Sequence, residues 1–158
     1  MGAWQGACGW CVKKMRGGVQ WASHGAREVG ACFSEALKCR EAGRTLFAKQ
    51  AFREALDQFE EAAEYIEGGG GNNEAQKPDG WAALAVSCYL NISLCCLKLE
   101  IWHRAVDGAS EVLKYDAANA KAHYRRAKAL LGKGKLADLP AAKADLLIAA
   151  RTEPQNKT

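Results

Sequence analysis

Seven cysteines and three histidines are the side chains most able to do chemistry in this sequence, and their spacing argues against most of it. Cys8, Gly9, Trp10 and Cys11 form a CxxC. In a redox protein that pair follows a strand and opens a helix whose terminus stabilises a thiolate; no strand and no α/β pattern surround it here. As half of a zinc site it needs two more ligands, and His24, Cys32 and Cys39 offer no regular ligand spacing. His24, His103 and His123 have no paired nucleophile at a recognisable distance, and the acids fall mostly on expected solvent faces. The run Gly68 to Gly71 lacks the preceding strand and the following Lys-Ser/Thr of a phosphate-cradling loop, so it reads as a linker. No catalytic residue, no metal site and no cofactor are expected, which moves the function from chemistry to binding.

Composition bounds that function further. A chain of 158 residues is long enough for one domain with a continuous core. Its formal charge of +4 is modest and the basic residues are spread along the chain, so nucleic acid is not an expected partner. The longest apolar stretch, around Trp81 to Leu99, is broken by Ser87, Asn91, Ser93 and Lys98, so no membrane span is expected. Cys88, Cys95 and Cys96 lie inside a helical pattern where small thiols serve as core residues, which implies a reducing compartment, the cytoplasm.

Residues 1–35 differ in kind, with Trp4, Trp10 and Trp21 among many glycines and no acid before Glu28. Lys13, Lys14, Arg16 and Arg27 resemble a transit peptide, yet serine is scarce and no amphipathic face emerges. Gly2 invites myristoylation, but Gly6 stands where Ser or Thr is wanted. The expectation is a poorly ordered or partly helical extension ahead of a domain at 36–156, with the helical pattern starting near Glu28 and firming up at Ala36.

Within that domain the periodicity is helical. Leu37, Cys39, Ala42, Gly43, Leu46 and Phe47 share one face, a short turn follows at Gln50 and Ala51, and Phe52, Ala55, Leu56, Phe59, Ala62 and Ala63 form the inward side of a second helix. Arg53, Glu54, Asp57, Glu60 and Glu61 are left for water. Gly43 and Ala55 are small where the two helices cross. After the loop 68–80, the pattern returns with Ala85, Cys88, Tyr89, Ile92, Cys96 and Leu99, then Trp102, Ala105, Val106, Ala109, Val112 and Leu113. A third unit opens at Asn119 as N-cap and runs through Ala122, His123, Arg126, Ala127 and Leu130. The stretch Lys135 to Pro140 is longer than its counterpart, so the last hairpin should splay or carry an extra turn before Asp138 caps a helix with Ala142, Leu146 and Ala149 inward.

The step from Ser93 to Ala127 is 34 residues, the period of the tetratricopeptide repeat. The expected fold is all-α: three helix-turn-helix repeats, at about 36–67, 81–116 and 119–154, stacked as a right-handed superhelix. Asn91-Ile-Ser-Leu-Cys-Cys-Leu-Lys-Leu99, Val112-Leu-Lys-Tyr-Asp116 and Lys121-Ala-His-Tyr-Arg-Arg126 carry a closer likeness. They resemble the three-repeat domains of co-chaperones that hold the acidic C-terminus of seventy- and ninety-kilodalton heat-shock chaperones. The likeness is greatest to the domain appended to large FK506-binding and cyclophilin-type prolyl isomerases. It covers about Ala36 to Asn156, without the isomerase domain.

The resemblance implies a groove that reads a peptide's terminal carboxylates with basic and amide side chains. The third repeat supplies Lys121 and Arg125, and the second supplies Asn91. In the first repeat the family has Lys and Asn where this sequence has Arg40 and Arg44. Lys121 and Arg125, four apart, stand on one helix face, and two cations beside an amide suit a main-chain carboxylate next to an Asp side chain. Arg40 keeps the charge with a different reach, whereas Arg44 turns a short amide into a long cation. The rivals are a scaffold protein with a different peptide ligand and the repeat fragment of a prolyl isomerase. Repeat stacks expose an apolar end unless capped, so a face of Leu146, Leu147 and Ala150 carries an expectation of weak self-association or of cover by the N-terminal segment.

Overall fold

The computed structural model describes residues 29–69 and 77–152, which form six α-helices in three antiparallel pairs. Helices α1 (Val29–Ala48) and α2 (Phe52–Gly69) make the first pair, α3 (Trp81–Lys98) and α4 (Trp102–Tyr115) the second, and α5 (Ala120–Gly132) and α6 (Leu139–Thr152) the third. Each pair packs on itself, α2 packs on α3, and α4 packs on α5. The first helices of successive repeats also touch, α1 on α3 and α3 on α5, so they share one side of the stack. The second helices lie on the other side, where Arg104 of α4 reaches Glu60 of α2. Glu60, expected to face water, is instead part of this inter-repeat ion pair, whose side chains are 31% and 19% exposed.

The small residues of the repeat lie where helices meet. A Cβ on Gly43 would come within 2.7 Å of the Phe59 ring, and Ala55, Ala62 and Ala105 are fully buried. Gly108 brings α4 within 3.3 Å of the Ser93 backbone nitrogen, counted from a Cβ added there. Ser93 in turn donates its hydroxyl to the Ala105 carbonyl at 2.9 Å, fixing α4 on α3. The apolarity of α3 follows from its place in the middle of the stack. The helix is long and apolar enough to cross a membrane by length and composition alone, with a mean hydropathy of 1.4, yet Ala85, Cys88, Ile92, Cys95 and Cys96 are buried against neighbouring helices. Burial pushes the Cys88, Cys95 and Cys96 thiols up to about 12, which makes them core side chains rather than nucleophiles.

The turn inside each repeat has one geometry. Gln50, Glu100 and Gly134 all take the left-handed conformation, at φ of 62°, 57° and 67°. In the first two the chain closes with a bond spanning five residues, Ala51 N–H to Leu46 O at 3.1 Å and Ile101 N–H to Cys96 O at 2.8 Å. These turns set the register: position 41 corresponds to 91 and 125, and Gly43 to Ser93 and Ala127.

Several expectations need correction. The helical pattern read from near Glu28 is a helix from Val29, and Cys32 and Phe33, set apart from the repeat by composition, belong to its packing. Cys32 is buried beneath Gly69, and Phe33 stacks on Trp81 with ring centroids 5.8 Å apart. Ala42 is exposed because it lies just outside the stripe that meets α2. Asn119 caps α5 as expected, accepting from Ala122 N–H at 3.0 Å. The added residues of the third turn form a 3-10 turn at Leu136–Asp138, and Asp138 pairs with Lys133 at 2.9 Å. On α6 the inward charged residue is Asp145, 3% exposed, while Leu146 is 38% exposed. Ala142, Asp145 and Ala149 form the inward stripe, which leaves Leu146 beside it. Residues 1–28 lie outside the described residues, and with them the CxxC of Cys8 and Cys11, His24, Gly2 and the basic residues up to Arg27.

Candidate functional site

The five residues of the expected carboxylate clamp lie on the three first helices: Arg40 and Arg44 on α1, Asn91 on α3, Lys121 and Arg125 on α5. The repeat register explains part of the arrangement. Asn91 and Arg125 occupy the same position in the second and third repeats, so side-by-side packing of α3 and α5 makes them neighbours across one seam. The hydrogen bonding agrees, since Arg125 donates from Nη1 to the Leu90 carbonyl at 2.5 Å, one residue from Asn91.

Electrostatics single out Arg125. Its guanidinium is half-buried, and burial holds its pKa below the usual arginine range. Its hydrogen-bond partner is a neutral carbonyl, and among the described residues no carboxylate lies within ion-pair range of it. A desolvated cation without a counter-ion has more to gain from an incoming anion than one already paired. Lys121, one turn earlier on α5, is exposed and likewise makes no ion pair among the described residues. Asn91 is half-buried, and among the described residues its amide makes no side-chain hydrogen bond, which leaves it able to donate and accept.

The α1 residues divide. Arg40 is half-buried on the α3 side, close enough to act on the Cys88 thiol, and its Nε is buried without a hydrogen-bond partner. Arg44 lies one turn on and is 62% exposed, with Nη1 3.3 Å from Oε2 of Glu41. Glu41 escaped sequence reasoning. It is the first-repeat counterpart of Asn91 and Arg125, and the signal that exposes it is the register of the three left-handed turns. Arg125 thus reaches α3 next to Asn91, Lys121 lies one turn away on α5, Arg40 approaches α3 from α1, and Arg44 pairs on its own helix.

A second polar cluster lies on the other face of α5. Asp145 of α6 accepts two bonds from Arg126 at 2.7 Å each and one contact with His123 Nδ1 at 2.8 Å. His123 Nε2 is 3.0 Å from the Ala117 carbonyl. Burial alone would raise the Asp145 carboxyl, but the bonds from Arg126 and His123 outweigh it and hold the pKa below the usual value. The cluster fixes the face of α5 opposite Lys121 and Arg125, and so orients the site from behind.

No model of a known protein family matches the chain. Among curated proteins it is 30% identical over 120 residues to peptidyl-prolyl cis-trans isomerase FKBP4 of Homo sapiens, over 75% of this chain. It is 32% identical over 119 residues to peptidyl-prolyl cis-trans isomerase FKBP42 of Arabidopsis thaliana. The matches span only 25% and 31% of the length of these two relatives. Among solved structures, the C-terminal TPR-containing domain of a Plasmodium falciparum FK506-binding protein superposes with a TM-score of 0.75 at 29% identity, covering 82% of this chain and 84% of that one. A multi-domain immunophilin from Arabidopsis thaliana gives 0.67 at 28% identity, over 78% of this chain and 47% of its own. The paired helices, the 34-residue register and these likenesses lead to one conclusion: the chain is a three-repeat tetratricopeptide domain of the type found in large FK506-binding immunophilins.

Proposed function

We propose that this domain is a protein-interaction module that holds the acidic C-terminal tail of a seventy- or ninety-kilodalton heat-shock chaperone, in the cytoplasm, through a carboxylate clamp. The observation that carries the reading is Arg125, a half-buried cation bonded only to a neutral carbonyl, one turn from Lys121 and beside Asn91. In this reading Lys121 and Arg125 meet the terminal main-chain carboxylate and the side chain of a terminal Asp. Asn91 donates to the same group, and Arg40 adds field from α1. Charge-assisted hydrogen bonds contribute about 1.5 to 3 kcal/mol each. Three of them, less the cost of ordering a short peptide, suffice for micromolar affinity, about −8 kcal/mol. The likeness to the repeat region of FK506-binding immunophilins supports the reading of this domain as a protein-interaction module.

Calorimetric titration with a short peptide ending in Glu-Glu-Val-Asp, beside its C-terminally amidated form, tests the reading. Micromolar binding that is lost on amidation and in Lys121→Ala is the expected result. A folded sample that binds neither peptide, or both equally, assigns the groove to another ligand.

A further inference from the structure

Helix α6 buries its small side chains and exposes its large ones. Its inward side is Ala142 and Asp145, at 1% and 3% exposure, with Ala149 half-buried, whereas Leu139, Leu146, Leu147 and Ile148 are 38% to 50% exposed. Leu139, Lys143, Leu146, Leu147 and Ala150 follow one another at helical steps and share one side of the helix. Leu136, on the turn that leads into α6, is 82% exposed. Because α6 packs chiefly on α5, these side chains stand on a convex ridge at the edge of the stack. Exposed apolar side chains gathered in this way mark a contact surface.

Charge narrows what that surface can meet. From Lys128 to Thr152 the acids are Asp138 and Asp145 alone, and both are engaged: Asp138 pairs with Lys133 at 2.9 Å, and Asp145 is buried against Arg126. Lys135, Lys143 and Arg151 are exposed around the leucines and make no ion pair among the described residues. A second copy docked by the same face would set these cations against each other. Residues 1–28 carry Lys13, Lys14, Arg16 and Arg27 with Glu28 as their one acid, so they are repelled as well. A ridge offers no groove to a partner helix. Leucines that enter a hydrocarbon boundary while Lys and Arg reach back to its charged rim suit a flat, anionic, apolar-centred surface.

We infer that α6 and the turn before it form a lipid-contact surface, which lays Leu136, Leu139, Leu146 and Leu147 into the headgroup boundary of an anionic bilayer while Lys135, Lys143 and Arg151 meet the lipid phosphates and carboxylates. The charge of the whole stack favours this orientation. At its other end the outer side of α2 exposes Glu54, Asp57, Glu61, Glu64 and Glu67, so a negative surface draws the third repeat towards it and turns the first away. The contact is peripheral, since α6 has 14 residues and is too short to span a bilayer. Lys121 and Arg125 lie on the face of α5 away from α6, so the lipid contact does not depend on the clamp and leaves it open.

Flotation of the full chain with vesicles tests this. The probes are vesicles of phosphatidylcholine alone and of phosphatidylcholine with about 30% phosphatidylserine, each with and without an excess of the Glu-Glu-Val-Asp peptide. The chain should bind the anionic vesicles about tenfold or more tightly than the neutral ones, and binding should fall with added salt. Lys143→Gln and Arg151→Gln should each weaken it about fivefold, and Leu147→Ser about tenfold; all three positions are exposed, and circular dichroism checks the fold. No binding, equal binding to both kinds of vesicle, or binding that the α6 variants leave intact overturns the inference. Binding lost in Lys13→Gln/Lys14→Gln but kept in the α6 variants overturns it in favour of residues 1–28, and binding abolished by the peptide overturns it in favour of the clamp. A dimer in analytical ultracentrifugation that Leu147→Ser dissociates would overturn it too, by assigning the face to a second copy.

Discussion

Asp145 shows how much one side chain can govern. It is a carboxylate 3% exposed on α6, held by Arg126 and His123. Because its folded pKa lies below the unfolded value of 3.8, its contribution to stability is fully present above that value and is lost as pH falls through the folded one. Replacing it with Asn should cost about 2–4 kcal/mol near neutral pH, since Arg126 loses its counter-charge and the polar cluster loses its carboxylate. The same change should flatten the acid limb of the stability profile. Urea denaturation of wild type and Asp145→Asn between pH 3 and 7 measures both; parallel profiles would remove Asp145 from the account. The sequence showed His123 and Arg126 as inward but not their partner, because a single acid among Lys143, Leu146 and Arg151 looks like any solvated helix residue. The trace it left is its spacing of three from Ala142, a buried position. Of the proposed clamp, Lys121 and Arg125 came from the family resemblance, and their i, i+4 spacing places them on one face of α5. Glu41 was not legible, since its meaning depends on which residues of other repeats it is aligned with.

Elements were legible where packing follows periodicity and obscure where it follows close approach. The inward faces of α2 and α4 were read nearly complete, because Ala55, Phe59, Ala105 and Val112 recur at helical steps and are buried. The turns were less visible. Gln50 and Glu100 adopt a conformation usual for glycine, and only Gly134 advertises it. Gly43 gives the sharpest test at this scale. An alanine in a helix interior is ordinarily favoured over glycine by up to about 1 kcal/mol. Here its Cβ would meet three atoms of the Phe59 ring at 2.7 to 2.9 Å, and Phe59 is 1% exposed, with no room to retreat. Overpacking of this kind costs about 1–3 kcal/mol, so Gly43→Ala should destabilise by about 1–2 kcal/mol in spite of its propensity. An increase in the urea midpoint would show that α1 and α2 separate more easily than their contact implies.

At the scale of the whole molecule, the stack is uneven. One continuous core runs through the first two repeats and takes in Ala122 and Ala129 of α5, whereas Ala127, Leu130 and Ala142 form a small separate cluster between α5 and α6. On α6, Leu139, Leu146, Leu147 and Ile148 are 38% to 50% exposed, so this helix buries little apolar surface among the described residues. In a stack whose repeats contact only their neighbours, the least buried end opens first. Hydrogen exchange should therefore be fastest in α6, slower in α5 and slowest in α3, which is packed against four other helices. Lys121 and Arg125 lie on α5, so a carboxylate that bridges them to Asn91 binds only when α5 is docked on α3. A ligand that prefers the docked state stabilises it by mass action. Saturating amounts of the acidic peptide should therefore slow exchange in α5 by about a hundredfold at a concentration about a hundred times its dissociation constant, with α2 little changed. Asp145→Asn should speed exchange in both helices of the third repeat and weaken the peptide, although Asp145 belongs to the opposite face of α5 from the clamp. Protection spread evenly over all six helices would mean that the three repeats open as one unit and that the groove does not depend on the docking of its last repeat.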